Sequence, residues 1–353
     1  MCYLDSVIAR ILAGLIALAV PVIALPADTL YVGEAVLPED RQATVNDLAD
    51  ALDEVLARLT GRFDESLIQQ LGLGPDEVRS LVLARQRFER ERPSPDGELA
   101  TTVRLRAEFD PAAVREILTQ HGLPRWGQER PAILLWVAVE DEAGTRFLSD
   151  PYLEYLIAEN GRRLGLDIVL PLGDALDLAE VTLADVRGGF LGSAEAGALR
   201  YGAGVTAMLD LRSMPSDQDE SRWRGRWFWR IGEQDQSLNR TAADLELLVE
   251  TGLERVASSL AARYAVHDAE VSAGLQRIRV SGIVDEVHYA LVLDYLENLS
   301  VVEQVRVLAA DQRAIDFQLL TTGGNLAVFL EMGGLLVPET GNGGDWPVYR
   351  LRR

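Results

Sequence analysis

Alternate arginines are the first residues whose spacing could do chemistry. Arg222, Arg224, Arg226 and Arg230 fall on one face of a strand predicted over Arg222 to Ile231, and Trp223, Trp227, Trp229 and Ile231 fall on the other, because side chains alternate with a period of two. Such a cationic strip could hold an anionic ligand or an acidic partner. The same pattern also suits an edge strand whose tryptophans pack inward while its arginines deter edge pairing. Carboxylates form the second group. Glu140-Asp141-Glu142 follows one predicted strand, and Asp174 and Asp177 follow another. The carboxyl ends of strands are where α/β sheets place their sites, so an acid pair for glycoside-type hydrolysis or a hard-cation site could be built there. In so acidic a chain these residues could equally be solvated loop acids. His121, His267 and His288 show no metal-ligand spacing, and no H-E-x-x-H, G-x-S-x-G or P-loop occurs; Gly72-Leu73-Gly74 lacks the Gly and Lys a phosphate loop needs. His121 precedes a helix-ending Gly122, and Asp285 caps the helix that carries His288. The sequence therefore points to no cofactor and no metal ligand set.

Composition narrows the partners. The net charge is −21 over 353 residues, and all 34 basic side chains are arginine. A phosphate backbone would be repelled over most of such a surface, which excludes nucleic acid as the expected partner. The apolar run Ile11 to Ala27 follows Arg10 and closes with Leu25-Pro26-Ala27, the pattern of a secretory signal cleaved near Ala27. A retained run would instead be an anchor, and the chain would then face the periplasm from the inner membrane. Cys2 is the sole cysteine and lies before the run, so a processed chain has no thiol chemistry.

The elements that must position these residues divide into three units and a tail. Residues 28–130 are predicted as a βααβα unit: a strand at Thr29 to Val36, a helix from Val45 to Leu59 opened by Thr44 and Asp47 and closed by Gly61, a turn at Leu71 to Gly74, a charged helix from Asp76 to Arg90, a strand at Thr102 to Phe109, and a helix opened by Asp110-Pro111. Residues 131–266 are predicted as an α/β sandwich. It has a buried strand at Ala132 to Val139, a helix after Asp150-Pro151, a second buried strand at Leu166 to Leu170, short helices near Leu183 and Ala194, an antiparallel edge hairpin of Val205 to Leu211 with Arg222 to Ile231, and a long helix opened by Thr241 and Asp244. Residues 269–338 follow the ferredoxin-like βαββαβ order, and 339–353 form a glycine-rich tail. The fold class is α+β and α/β, multidomain.

Several blocks together resemble a family of exported proteobacterial proteins catalogued as domain of unknown function 2066. They are Ala51-Leu52 with Val55-Leu56-Ala57-Arg58-Leu59-Thr60-Gly61, Phe109-Asp110-Pro111-Ala112-Ala113-Val114, and Gly122-Leu123-Pro124-Arg125-Trp126-Gly127 running into Arg130-Pro131. The match continues through Asp185 to Phe190, Arg200 to Ala203, Trp223 to Trp227 and Ala262 to Val266. Arg187 stands where an aromatic residue is expected in that family. The resemblance implies an envelope location and carries no catalytic residues.

The leading expectation is a non-enzymatic periplasmic binding or scaffolding module for envelope proteins or cell-wall components. Two alternatives stand beside it: a periplasmic hydrolase using the acids near Glu140 and Asp174, and a signal-anchored accessory subunit of an inner-membrane complex.

Overall fold

The computed structural model describes residues 29–127, 130–214, 222–265, 274–299, 301–311, 314–321, 325–332, 334–339 and 346–352. The predicted signal with Cys2, His267, the loop Pro215 to Ser221, Gly323-Gly324 and the Arg222 side chain lie outside the described residues. Among the described residues, three separate sheets and eleven α-helices give a mixed α+β, multi-unit architecture. No helix among the described residues is long and apolar enough to cross a membrane.

The first sheet has the order β1-β3-β2, built from β1 (Val32–Val36), β2 (Val82–Pro93) and β3 (Leu99–Phe109), all antiparallel. Helix α1 (Val45–Thr60) covers it, with Leu48, Leu52, Val55, Leu56 and Leu59 buried on one helical face. The Thr44 N–H donates to the Asp47 carboxylate at 2.7 Å, and Gly61 closes the helix at φ +72°. Short helices α2 (Leu67–Leu71) and α3 (Pro75–Ser80) follow, and α4 (Pro111–Gln120) begins at the Asp110 cap. The charged helix expected from Asp76 to Arg90 is corrected here: it stops at Ser80, and β2 takes over from Val82. Pairing along the whole of β3 supplies backbone partners that outweigh the helix propensity of Arg and Glu. Phe88, Arg90 and Arg92 become one half-buried face, and two of its arginines reach the next unit: Arg90 meets Glu159 at 2.8 Å and Arg92 meets Glu246 at 3.1 Å.

The central sheet runs β5-β4-β7-β8-β9, with β6 also beside β4. Strand β4 (Ile133–Asp141) is parallel to β6 (Ile168–Val169) and β7 (Val205–Met214) and antiparallel to β5 (Gly144–Phe147). Its apolar run is covered on both faces. Leu135 and Val137 pack with α5 (Pro151–Leu164) and α9 (Leu245–Tyr264), while Leu134 and Trp136 pack under α7 (Leu183–Gly188) and α8 (Glu195–Arg200). Helix α6 (Ala175–Glu180) precedes them. Three expectations are corrected. The second buried strand shrinks to two half-buried residues. The strand β8 (Arg222–Ile231) lies inside the sheet, because β9 (Gln234–Ala242) adds a further antiparallel edge. Thr241 belongs to β9, so Asp244 alone caps α9, accepting from the Leu247 N–H at 2.8 Å.

The third sheet has the order β11-β12-β10-β14-β13. Strands β10 (Gly274–Ser281), β11 (Val302–Ala310), β12 (Ala314–Thr321) and β13 (Leu336–Pro338), with α10 (Glu286–Glu297) and α11 (Leu326–Met332), keep the ferredoxin-like sequence of elements. The tail contributes a fifth strand, β14 (Val348–Leu351), wedged between β10 and β13, parallel to the first and antiparallel to the second. This unit abuts the central one closely: a Cβ at Gly204 would lie 2.2 Å from the Met332 carbonyl oxygen.

At that junction Tyr264 is buried, and burial together with the Glu331 charge pushes its phenol up to about 12. Burial also raises the Tyr152 and Tyr349 hydroxyls. A phenol whose folded pKa exceeds its unfolded value of about 10 contributes stability that is whole below pH ~10 and is lost as pH rises through the folded value. The thermal midpoint is therefore expected to fall between about pH 9.5 and about pH 11.5, and Tyr264→Phe is expected to flatten that fall. An identical alkaline profile in the variant would contradict the assignment.

Candidate functional site

The pairing of strands sets out the site in rows. Register places Ala138, Asp210, Arg226 and Asn239 side by side across β4, β7, β8 and β9, and Glu140, Arg212, Arg224 and Thr241 in the next row outward. Both rows share the sheet face of Trp136 and Met208, beyond the part that α7 and α8 cover, at the carboxyl ends of the parallel strands β4 and β7. Helix α7 supplies one more arginine. Its Thr182 cap donates its N–H to Asp185 at 2.8 Å, and Gly189 ends it at φ +69° against the Phe228 ring. That turn sets Arg187 over the rows.

Asp210, only 3% exposed, is the pivot. Arg226 reaches its Oδ2 with Nε at 2.9 Å and Nη2 at 2.6 Å, and donates from Nη2 to the Arg187 carbonyl at 2.8 Å. Arg187 lies between Asp210 (3.5 Å) and Glu140 (2.5 Å), and Arg212 meets Glu140 at 2.8 Å. Arg224 is exposed and has no ion pair among the described residues. Four guanidiniums thus face two carboxylates, a local positive surplus on a strongly acidic chain.

The predicted strip is therefore only partly a strip. Arg224 and Arg226 belong to this site, whereas Arg230 is occupied by Glu195 and by Asp235 at 2.8 Å. Asp210 and Arg212 were not singled out from the sequence, and Arg187 stood out only as a departure from the family pattern, not as a site residue. Asp210 could have been found from parity, being a carboxylate on the buried run Val205 to Leu211 and of the same parity as Met208. Arg187 arrives from a separate helix, and no spacing rule reaches it.

The predicted acids do not form one site. Glu140 joins the arginine cluster. Asp141 makes a two-pronged pair with Arg146, both contacts 2.7 Å, and the Arg146 hydrogen bond lowers its pKa. Asp174 caps α6 and pairs with Arg200 at 2.5 Å, and that hydrogen bond holds its carboxyl well below the usual range. Asp177 is buried and accepts from Arg200, the Tyr201 hydroxyl (2.7 Å) and the Gly173 N–H (2.9 Å). A general acid for glycoside cleavage needs its pKa raised; Arg200 acts on Asp174 in the opposite direction. Among the described residues no group of three His, Cys, Asp or Glu is placed to hold a metal ion. His121 Nδ1 lies 2.8 Å from the Ile117 carbonyl, and His288 Nδ1 lies 2.7 Å from Asp285.

Comparison with known proteins corrects the family expectation. Residues 24–127 match the model of a family described as a domain of unknown function, DUF8605. Two of the blocks that suggested domain of unknown function 2066, Ala51 to Gly61 and Phe109 to Val114, and most of a third lie inside that stretch, and the family that matches it is a different one. No curated protein matches the chain. A solved structure described as that of an uncharacterized protein is similar over 38% of this chain and 92% of its own, at 12% identity and a TM-score of 0.19. That similarity carries no argument about fold or function.

Proposed function

We propose that the chain is an exported, non-enzymatic binding module of the cell envelope, and that it engages an acidic partner through the open end of the central sheet at Arg212, Arg224 and Arg226. The observation that carries this reading is the guanidinium surplus around Asp210 and Glu140. Two of the arginines are held in place by buried or half-buried carboxylates, so they are preorganised, and Arg224 is left for the partner. Arg suits this role because its planar fork pairs with carboxylate in two prongs. Export is supported by the apolar run Ile11 to Ala27.

Arg224→Glu reverses the charge at an exposed position without unpairing Asp210. Capture of the tagged full chain from crosslinked cells, with quantitative mass spectrometry, is expected to show partner recovery reduced about tenfold or more in this variant, the scale of a charge-assisted contact. Recovery of every envelope partner equally by both proteins would overturn the proposal. The amino terminus of the captured protein tests export separately, with a start near Asp28 expected.

A further inference from the structure

A cavity lies in the third unit where the added strand β14 joins the sheet. Strand β10 pairs with β12 along its length but with β14 only over Arg279 to Ser281. Alongside Gln276 to Ile278 the chain is instead entering the sheet as Trp346-Pro347, too early to pair as a strand. Between that segment, the edge of β10 and helix α11 lies a cavity of about 500 Å³, within the usual range for a small-molecule pocket. Ile278, Leu330 and Tyr349 on its walls are buried members of the third core. The Arg277 guanidinium stands over the Trp346 ring at 5.3 Å from its centroid. Arg277 lines the cavity, is its sole charged lining residue, and has no carboxylate partner among the described residues.

We infer that this cavity binds a small aromatic carboxylate. The apolar walls accept a flat ring, and the guanidinium over the Trp346 ring supplies a two-pronged partner for the acid. A guanidinium already held against an indole loses little freedom when the ligand arrives, which favours binding. The inference is independent of the arginine cluster on the central sheet.

The test is calorimetric titration of the full chain with indole-3-acetate and with its neutral counterpart indole-3-acetamide. Saturable binding of the acid is expected, at least about tenfold tighter than the amide. Arg277→Gln is expected to bring the acid down to the level of the amide, while Trp346→Ala weakens both. Arg224→Glu is expected to bind the acid as the unaltered chain does, which separates this site from the other. Circular dichroism confirms that each variant is folded, and Arg277→Gln changes an exposed side chain. Equal binding of acid and amide, undiminished acid binding in Arg277→Gln, or no saturable binding of either compound would overturn the inference.

Discussion

Arg58→Ala is expected to destabilise the protein by about 3–5 kcal/mol, the usual consequence of removing one partner of a buried ion pair. Arg58 is 2% exposed on the last turn of α1. Its Nε donates to the Arg163 carbonyl at 2.7 Å, its Nη1 to the Thr29 and Val32 carbonyls at 2.9 Å each, and its Nη2 to Glu54. Truncation takes a donor from four main-chain acceptors, the Leu30 carbonyl at 3.3 Å included, and leaves a largely buried carboxylate without its cation. Burial already raises the Glu54 pKa, with Arg58 the first group opposing that rise. Once Arg58 is gone, protonation of Glu54 relieves part of the damage. The loss is therefore expected to be smaller at about pH 4.5 than at about pH 7, given a carboxylate reference near 4.3. Urea unfolding should show the midpoint shift with little change in slope. A loss below about 1 kcal/mol, the scale of an exposed ion pair, would sink the assignment.

The size of that effect follows from where Arg58 sits, at the seam between the first and central units. Arg130 doubles the seam. It donates to the Leu164, Gly165, Trp126 and Arg58 carbonyls at 2.9–3.1 Å and stacks 4.0 Å above the Trp126 ring. Outside this pair, Glu34 is buried among Arg90, Arg104 and Arg162, and Glu159 meets the same three arginines. A chain without lysine has built this junction from guanidiniums, whose fixed fork satisfies several carbonyls at once where an ammonium offers three donors from one point. The two sheets are joined by buried directional bonds, so the arginine rows of the central sheet are presented on a broad, stiff frame.

Legibility in the sequence followed apolar periodicity. Helix α1 and strands β4 and β8 were readable because each buries a regular apolar set: Leu48 to Leu59 every three to four residues, Ile133 to Val139 continuously, and Trp227, Trp229 and Ile231 at every second position. Strands β2, β9 and β14 were missed for one shared reason. Arg85-Gln86-Arg87-Phe88-Glu89-Arg90 and Gln234-Asp235-Gln236-Ser237 carry no apolar alternation, and β14 is short. Their strand character comes from the strands they pair with: β2 and β9 each complete a hairpin with a neighbour, β3 and β8, and β14 joins the distant β10, and their own apolar pattern does not encode that pairing. The candidate site divides in the same way. From the sequence Glu140 could be placed past a strand and Arg226 on the arginine face of another, whereas their contacts with Arg187 and Asp210 depend on register and on how α7 crosses the sheet.

Trp227→Ala is expected to cost about 3–5 kcal/mol, as for other buried aromatic truncations, and the more telling result concerns the glycine beneath it. Trp227 is fully buried on β8, in the core that Leu248, Val249 and Leu253 of α9 complete. A Cβ at Gly252, inside α9, would lie 2.1 Å from its indole. Glycine in a helix interior costs roughly 1 kcal/mol relative to alanine, and this one leaves room for the ring. In the unaltered chain Gly252→Ala must therefore push a packed indole aside, with an expected loss of about 1–3 kcal/mol. In a Trp227→Leu background the clash is gone and only the helix preference remains, so the same Gly252→Ala change is expected to be neutral or to stabilise by up to about 1 kcal/mol. The sign of the glycine's contribution thus depends on its neighbour, and a double-mutant cycle measured by urea unfolding should return a coupling of about 1 kcal/mol or more. Effects that add to within about 0.5 kcal/mol would mean that the ring and the helix are not in contact as described.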